Sequence, residues 1–331
     1  MRRWLALLGV LLVCSVGCGE RAVPELIPDL DALQFPEDDP QWETAAALRA
    51  VDVCALIPRP DLEQFGPVRV VGTNGIQACY ARIATRTEGH VDLGWALVTS
   101  PPNEGGGGHD RRIGPARAWM VSDADNSTPE QIERSSYRYC ALQVEPPPGG
   151  SVVLRVDSAK GIDACSVAER AAHIVLREWE RHPRQGDSPD TVRTPLTGAD
   201  PCAVLAELGI GRRGSWSGVV RCGFRYRGER IVVGYEYDTG RPPADYPPVP
   251  DPSGDGYRSN YPLVTVANRT GYRSESSGRH TYHLPLSSPV DLPSLADPRN
   301  PDQRWTPTVT IEGSDQEVVA AVGAAVSTLF D

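Results

Sequence analysis

Apolar residues recur along this chain at two spacings. From Gln41 to Ile57, the residues Ala45, Leu48, Val51 and Ala55 fall three or four apart, which predicts a helix stopped by Pro58 and Pro60. Alternation with period two follows in Val91 to Leu97 and again in Ile231 to Tyr237. At a constant offset, Leu93, Trp95 and Leu97 match Val233, Tyr235 and Tyr237, so the same strand face should be buried in both. Helical spacing returns in Ala164, Ala168, Ala171, Val175 and Trp179, and near the C-terminus in Val318, Val322, Ala325 and Leu329. Each set forms one apolar stripe.

These matches belong to an internal repeat. Val51-Asp52-Val53-Cys54-Ala55-Leu56 aligns with Ala199-Asp200-Pro201-Cys202-Ala203-Val204, and second cysteines open Cys79-Tyr80-Ala81-Arg82 and Cys222-Gly223-Phe224-Arg225. Further on, Tyr139-Cys140-Ala141 lies where the second copy has Tyr282-His283-Leu284, and Val152 to Val156 resembles Thr308 to Ile311. The second copy lacks counterparts of Cys140 and Cys165 together, which is explained most simply if those two pair with each other. Cys54 then joins Cys79, and Cys202 joins Cys222. Bridges closing loops of this length are worth about 3–4 kcal/mol each in the chain-entropy model.

Six of the eight cysteines lie beyond Cys18, an even number that points to an exported chain, and its start agrees. Arg2 and Arg3 precede an apolar run from Trp4 to Val13, the right length for a signal-peptide core and too short for a permanent span. Ser15-Val16-Gly17-Cys18 resembles the bacterial lipobox, which makes residues 1–17 the signal and Cys18 the lipidated N-terminus, although Ser15 stands where Leu is usual. An ordinary secretory signal with an incidental cysteine is the alternative. Two acyl chains, at ~0.8 kcal/mol per buried methylene, suffice for stable anchoring to the outer face of the membrane. Residues 18–40, acidic and proline-containing, read as a tether.

Composition narrows the class. Thirty-two glycines and 31 prolines in 331 residues exceed the ~12% combined average and favour a loop-rich α+β or all-β chain over a helical bundle. A formal net charge of −10 argues against nucleic acid as the main partner and disfavours docking on anionic headgroups.

The Cys18 anchor, the Asp-x-Cys-Ala-Leu segment at Asp52 to Leu56, the following Cys79, the alternating strands and the closing helix together resemble a group of actinobacterial lipoproteins. That group is related to the extracellular sensor domains of mycobacterial serine/threonine kinases. The single lysine, Lys160, among 33 basic residues suits a high-GC genome. The resemblance implies an α+β domain in which a helix, a twisted antiparallel sheet and a C-terminal helix pack together, and it is nearly silent on activity. The expected organisation is therefore two tandem α+β domains, 41–183 and 199–331, joined by a linker at 184–198 rich in proline and glycine.

Motifs that carry chemistry are few. Gly209-Ile210-Gly211-Arg212-Arg213-Gly214 spells a dinucleotide fingerprint, but a helix precedes it and a strand follows, the reverse of what the phosphate site requires, so Gly209 reads as a helix C-cap. Asp251 to Gly256 imitates a calcium loop and lacks its final glutamate, since Pro262 stands there; a plain turn is the reading, a weak surface calcium site the alternative. Thr128-Pro129-Glu130-Gln131 reads as a capping box. His280 and His283 fall on opposite faces of one strand. No nucleophile elbow or zinc-protease motif is present.

Two long loops, Thr99 to Pro115 and Thr239 to Asn260, follow the matched strands and could close over an apolar cleft between sheet and helix. Trp95, Trp119, Tyr235, Tyr237, Tyr246 and Tyr257 are its candidate lining, although strand alternation also suits the first four to the core. The expectation is a lipid-anchored binding or sensing protein of the cell envelope, without catalysis, cofactor or metal. Its partner would be an apolar envelope ligand or an envelope protein, its oligomeric state open. An envelope hydrolase or transferase with an unusual site is the alternative.

Overall fold

A computed structural model describes residues 40–85, 89–102, 107–147, 149–238, 261–276, 278–296 and 303–331. The export segment with Cys18, the tether, the Asp251 to Gly256 turn, and Tyr246 and Tyr257 lie outside the described residues.

Two antiparallel sheets of seven strands each form the frame. The first holds β1 (Val68–Gly75), β2 (Ala78–Ala84), β3 (His90–Val98), β4 (His109–Ile113), β5 (Ala116–Ser122), β6 (Tyr137–Glu145) and β7 (Ser151–Ala159). The second holds β8 (Trp216–Ser217), β9 (Arg221–Tyr226), β10 (Glu229–Asp238), β11 (Leu263–Val266), β12 (Arg269–Ser276), β13 (Arg279–Pro285) and β14 (Thr306–Gly313). The helices are α1 (Pro40–Arg49), α2 (Arg59–Leu62), α3 (Asp123–Asn126), α4 (Pro129–Arg134), α5 (Ala164–Trp179), α6 (Val204–Glu207) and α7 (Gln316–Thr328).

The first sheet runs β1-β2-β3-β7-β6-β5-β4, and the second, taken from its β8 edge, runs β8-β9-β10-β14-β13-β12-β11. Every strand thus has a topological counterpart. Asp163 caps α5 by accepting from Cys165 N and Ser166 N at 3.0 and 3.1 Å, and Asp315 caps α7 in the same way at 2.8 and 3.1 Å. The chain is two tandem α+β units stapled by disulfides Cys54–Cys79, Cys140–Cys165 and Cys202–Cys222, the pairing read from the repeat. Disulfides of this kind mark an oxidising, extracytoplasmic compartment. Among the described residues no helix is long and apolar enough to cross a membrane.

Alternation decides which face each sheet buries. Leu93, Trp95 and Leu97 of β3 are at most 4% exposed, and all five stripe residues of α5 are buried against them and their neighbours. In the second unit Val233, Tyr235, Val309 and Ile311 meet Val318, Val319, Val322 and Val326 of α7. Ala325 and Leu329, expected in that stripe, are only half-buried, and Val319 and Val326 take the core side instead.

Two expectations change in the structure, and a third gains detail. The first helix ends at Arg49, and a separate 3-10 turn follows at Cys54–Leu56. The break falls at Val51, which makes an antiparallel bridge with Arg184, and at Asp52, whose carboxylate is bonded elsewhere. The stretch from Thr99 to Pro115 is not one long loop, because His109–Ile113 forms edge strand β4, paired with β5. Its four exposed polar residues are what an unpaired sheet edge tolerates. The stretch expected as the linker, 184–198, packs as a connector, with Leu196 fully buried in the second core.

The two units also share α1. Leu48 packs in the first core while Trp42 packs in the second, with the Arg212 guanidinium 4.6 Å from the indole centroid. Edge strand β1 is covered in turn: Thr73 N donates to Asp190 O at 3.3 Å, Thr73 Oγ1 accepts from Val192 N at 2.9 Å, and Ser294 Oγ donates to Thr73 O.

Candidate functional site

Asp52 organises the site. Its carboxylate, with the residue 0% exposed, accepts from Cys54 N at 3.2 Å, Thr191 Oγ1 at 2.5 Å, Gly186 N at 2.9 Å and Ser188 N at 3.0 Å. A buried carboxylate satisfied by four donors holds each of them in place, because any orphaned donor would cost about 1–3 kcal/mol. One residue therefore caps the Cys54–Leu56 turn and fixes the connector on the first unit. The bridge from Cys54 to β2 anchors the same turn covalently.

A cavity of about 370 Å³ opens between three segments that this network positions. Ala55, Pro58, Arg59 and Pro60 supply one wall, Glu178, Arg181 and Pro183 at the end of α5 a second, and Asp187 to Asp190 of the connector the third. Four prolines and Ala55 make the walls apolar and leave little rotamer freedom to lose on binding.

Charged side chains in and near the walls are paired: Glu178 is buried, and Arg177 and Asp61 lie outside the lining. Arg59 Nη2 lies 3.1 Å from Asp190 Oδ1, Arg181 Nη1 lies 2.8 Å from Glu178 Oε2, and Arg177 Nη2 lies 2.7 Å from Asp61 Oδ2. Such a site takes an apolar body of small-molecule size and offers paired charges to a polar end. Among the described residues no group of three or more His, Cys, Asp and Glu side chains is placed to hold a metal ion.

The four described aromatic residues singled out from the sequence divide between the two units, Trp95 and Trp119 in the first, Tyr235 and Tyr237 in the second. Trp95 is core, 1% exposed, and its indole N–H donates to Val53 O at 2.6 Å. Tyr235 is its counterpart in the second unit: its hydroxyl donates to Asp200 O at 3.1 Å, and its ring meets Phe330 edge-on at 6.0 Å. In each copy, then, the aromatic residue on the matched strand ties down the segment that carries the Asp-x-Cys turn. Burial raises the Tyr237 pKa, with a Thr194 hydrogen bond acting against it, so Tyr237 meets the connector. Trp119 sits half-buried on β5, on the face opposite buried Met120. Between sheet and helix, Trp95 is part of the first core and Tyr235 of the second.

Sequence reasoning placed the linker but missed its docking, the role of Asp52 and the walls from Pro58 and Pro183. The available signal was the aspartate two positions before the first cysteine of each copy, a position whose side chain caps a turn in both.

No family model and no curated protein matches the chain. Among solved structures it is similar at 11% identity to the crystal structure of the di-domain ARO/CYC BexL from the BE-7585A biosynthetic pathway, over 86% of this chain and 88% of that one. The TM-score is 0.15, so that likeness carries no argument.

Proposed function

We propose that this chain is a lipid-anchored extracytoplasmic protein of the cell envelope that binds an apolar ligand in the cavity beneath its connector. The observation that carries the reading is the preformed cavity of about 370 Å³, within the roughly 300–1,000 Å³ usual for ligand sites. Its three walls are held by a disulfide, a helix end and a buried carboxylate, so little ordering remains to oppose binding. A signal that releases ligand occupancy to a partner would pass through the connector, which touches both units.

Anchoring at Cys18 is part of the proposal. The export segment and the lipobox-like Ser15 to Cys18 support it. Mass spectrometry of the mature N-terminal peptide tests it: a diacylglyceryl cysteine is expected, and an unmodified N-terminus from ordinary signal cleavage contradicts it.

Native mass spectrometry of residues 19–331, exported from an actinobacterial host and purified without detergent, tests binding. An extra mass released by denaturation is expected. A bare chain that also takes up nothing from an envelope lipid extract contradicts the reading.

A further inference from the structure

The second sheet has a face turned away from α7, and strand alternation places on it Leu263, Tyr272, Ser274, Thr281, His283, Thr308, Thr310, Glu236 and Asp238. Thr308 and Thr310 of β14 and the adjacent Gly234 of β10 carry the short side chains of this face, with Thr310 and Arg221 packed over Gly234.

Ser274 Oγ lies 3.1 Å from His283 Nε2. On the other side of the ring, His283 Nδ1 is 3.4 Å from Glu236 Oε1 and 4.0 Å from Asp238 Oδ2. That Nδ1 is buried and makes no hydrogen bond: Glu236 is within range but off the N–H direction, and Asp238 is too far. Tyr272 stacks on the imidazole at 4.3 Å between centroids and donates its hydroxyl to Asp238 Oδ2, which locks the ring's plane. A hydroxyl, an imidazole and a carboxylate thus follow one another through the two ring nitrogens in the order a nucleophile, its base and its orienting acid require. Carboxylate contacts of this kind are commonly long before substrate arrives.

We propose that this face is a serine esterase site for neutral esters with an apolar acyl chain, with Ser274 as nucleophile, His283 as general base and Glu236 as the positioning residue. Leu263 supplies the acyl specificity. It is 65% exposed, one of two large apolar side chains that stand so far out among the described residues, and it is the cross-strand partner of Tyr272. Tyr261 meets Tyr272 edge-on at 5.8 Å, so an apolar shelf borders the nucleophile. The carboxylates of Glu236 and Asp238 disfavour anionic leaving alcohols.

In the reaction, Ser274 Oγ bonds to the ester carbonyl carbon as its proton passes to His283 Nε2. Thr281, the cross-strand partner of Ser274, is the hydroxyl that the register offers to the resulting oxyanion. The C–O bond to the alcohol then breaks, and the alcohol leaves with the proton from Nε2. Water then gives a proton to the same nitrogen and bonds to the acyl carbon, the bond to Ser274 Oγ breaks, and Oγ takes the proton back from Nε2 as the carboxylic acid leaves. The site lies on the second sheet, away from the cavity beneath the connector, and does not depend on what that cavity binds.

The test treats the exported, disulfide-bonded full chain with an alkyl fluorophosphonate and follows intact mass. One adduct is expected, mapped to Ser274, absent in Ser274→Ala and formed about 100-fold or more slowly in His283→Gln. With p-nitrophenyl esters, Glu236→Gln is expected to lower kcat with KM kept, and Leu263→Ser to raise KM for octanoate more than for acetate. No adduct, an adduct on another residue, or equal labelling rates in His283→Gln would overturn the proposal.

Discussion

The guanidinium of Arg49, a residue 5% exposed, lies 3.2 Å from the carboxylate of Asp200, so the last residue of the helix before the first sheet is bound to the first turn of the second unit. Arg49 also donates to Gly218 O at 3.1 Å, and its own carbonyl accepts from Gln77 at 3.4 Å and from Gln185 at 3.0 Å. Burial pulls its pKa down, and the Asp200 charge acts against that loss. Asp200 and Asp52 are counterparts in the repeat, each capping a turn; one uses its spare valence on the connector, the other on Arg49. The two units are therefore clamped to each other by the same device used twice.

Replacing Arg49 by Ala should destabilise the fold by about 2–3 kcal/mol. That is just below the ~3–5 kcal/mol typical of breaking a fully buried pair, because about a third of the Asp200 side chain reaches water. Urea unfolding checks the magnitude, and it should show one transition for both sheets in the unaltered chain.

Asp52→Asn keeps the shape and removes one acceptor oxygen, so it should cost about 1–3 kcal/mol. Limited proteolysis gives the location. Residues 184–198 should resist cleavage in the unaltered chain and become the first site cut in the variant.

Asp157 carries the clearest pH signature. Burial raises its pKa, the Arg155 charge lowers it, and the charges of Asp92 and Asp123 raise it further. A carboxyl whose pKa is higher folded than unfolded binds its proton more tightly in the native state, so its contribution to stability falls as pH rises through that window. Asp157→Asn should therefore raise the melting temperature at pH 7, and the advantage should vanish as pH drops below the ordinary carboxylate value of about 3.9. Thermal melts across that range read the difference directly.

Removing the bridge that the first unit alone possesses, as Cys140→Ala with Cys165→Ala, should cost about 3 kcal/mol for a 25-residue separation. The fold should survive, since the second unit holds the same strand order without that bridge.

Much of this architecture was legible in the residues. The offset between Trp95 and Tyr235 revealed the repeat, and the joint absence of two cysteines gave the pairing, because a repeat constrains both sequence and topology. The Thr128 and Gln131 capping box and the positive φ of Gly209 after α6 were readable because local hydrogen bonds and sterics decide them. The connector was not, since a polar stretch with prolines looks the same whether it floats or docks; only the buried Asp52, 134 residues from Gly186 in sequence, distinguishes them. The cavity was missed for the same reason, as its walls come from three distant segments. Trp95 and Tyr235 drew attention as ligand contacts because a strand face that buries aromatics in a core has the same period as one that lines a cleft.

The cavity is tested most directly by filling it. Ala55 is half-buried and faces the space beneath the connector, so Ala55→Trp should occupy it without disturbing Cys54 or Leu56 on either side. Native mass spectrometry of the exported variant beside the unaltered chain is the measurement. The account predicts that the released ligand mass disappears in the variant while its melting temperature is maintained; the same mass retained at the same occupancy would place the ligand elsewhere and contradict it.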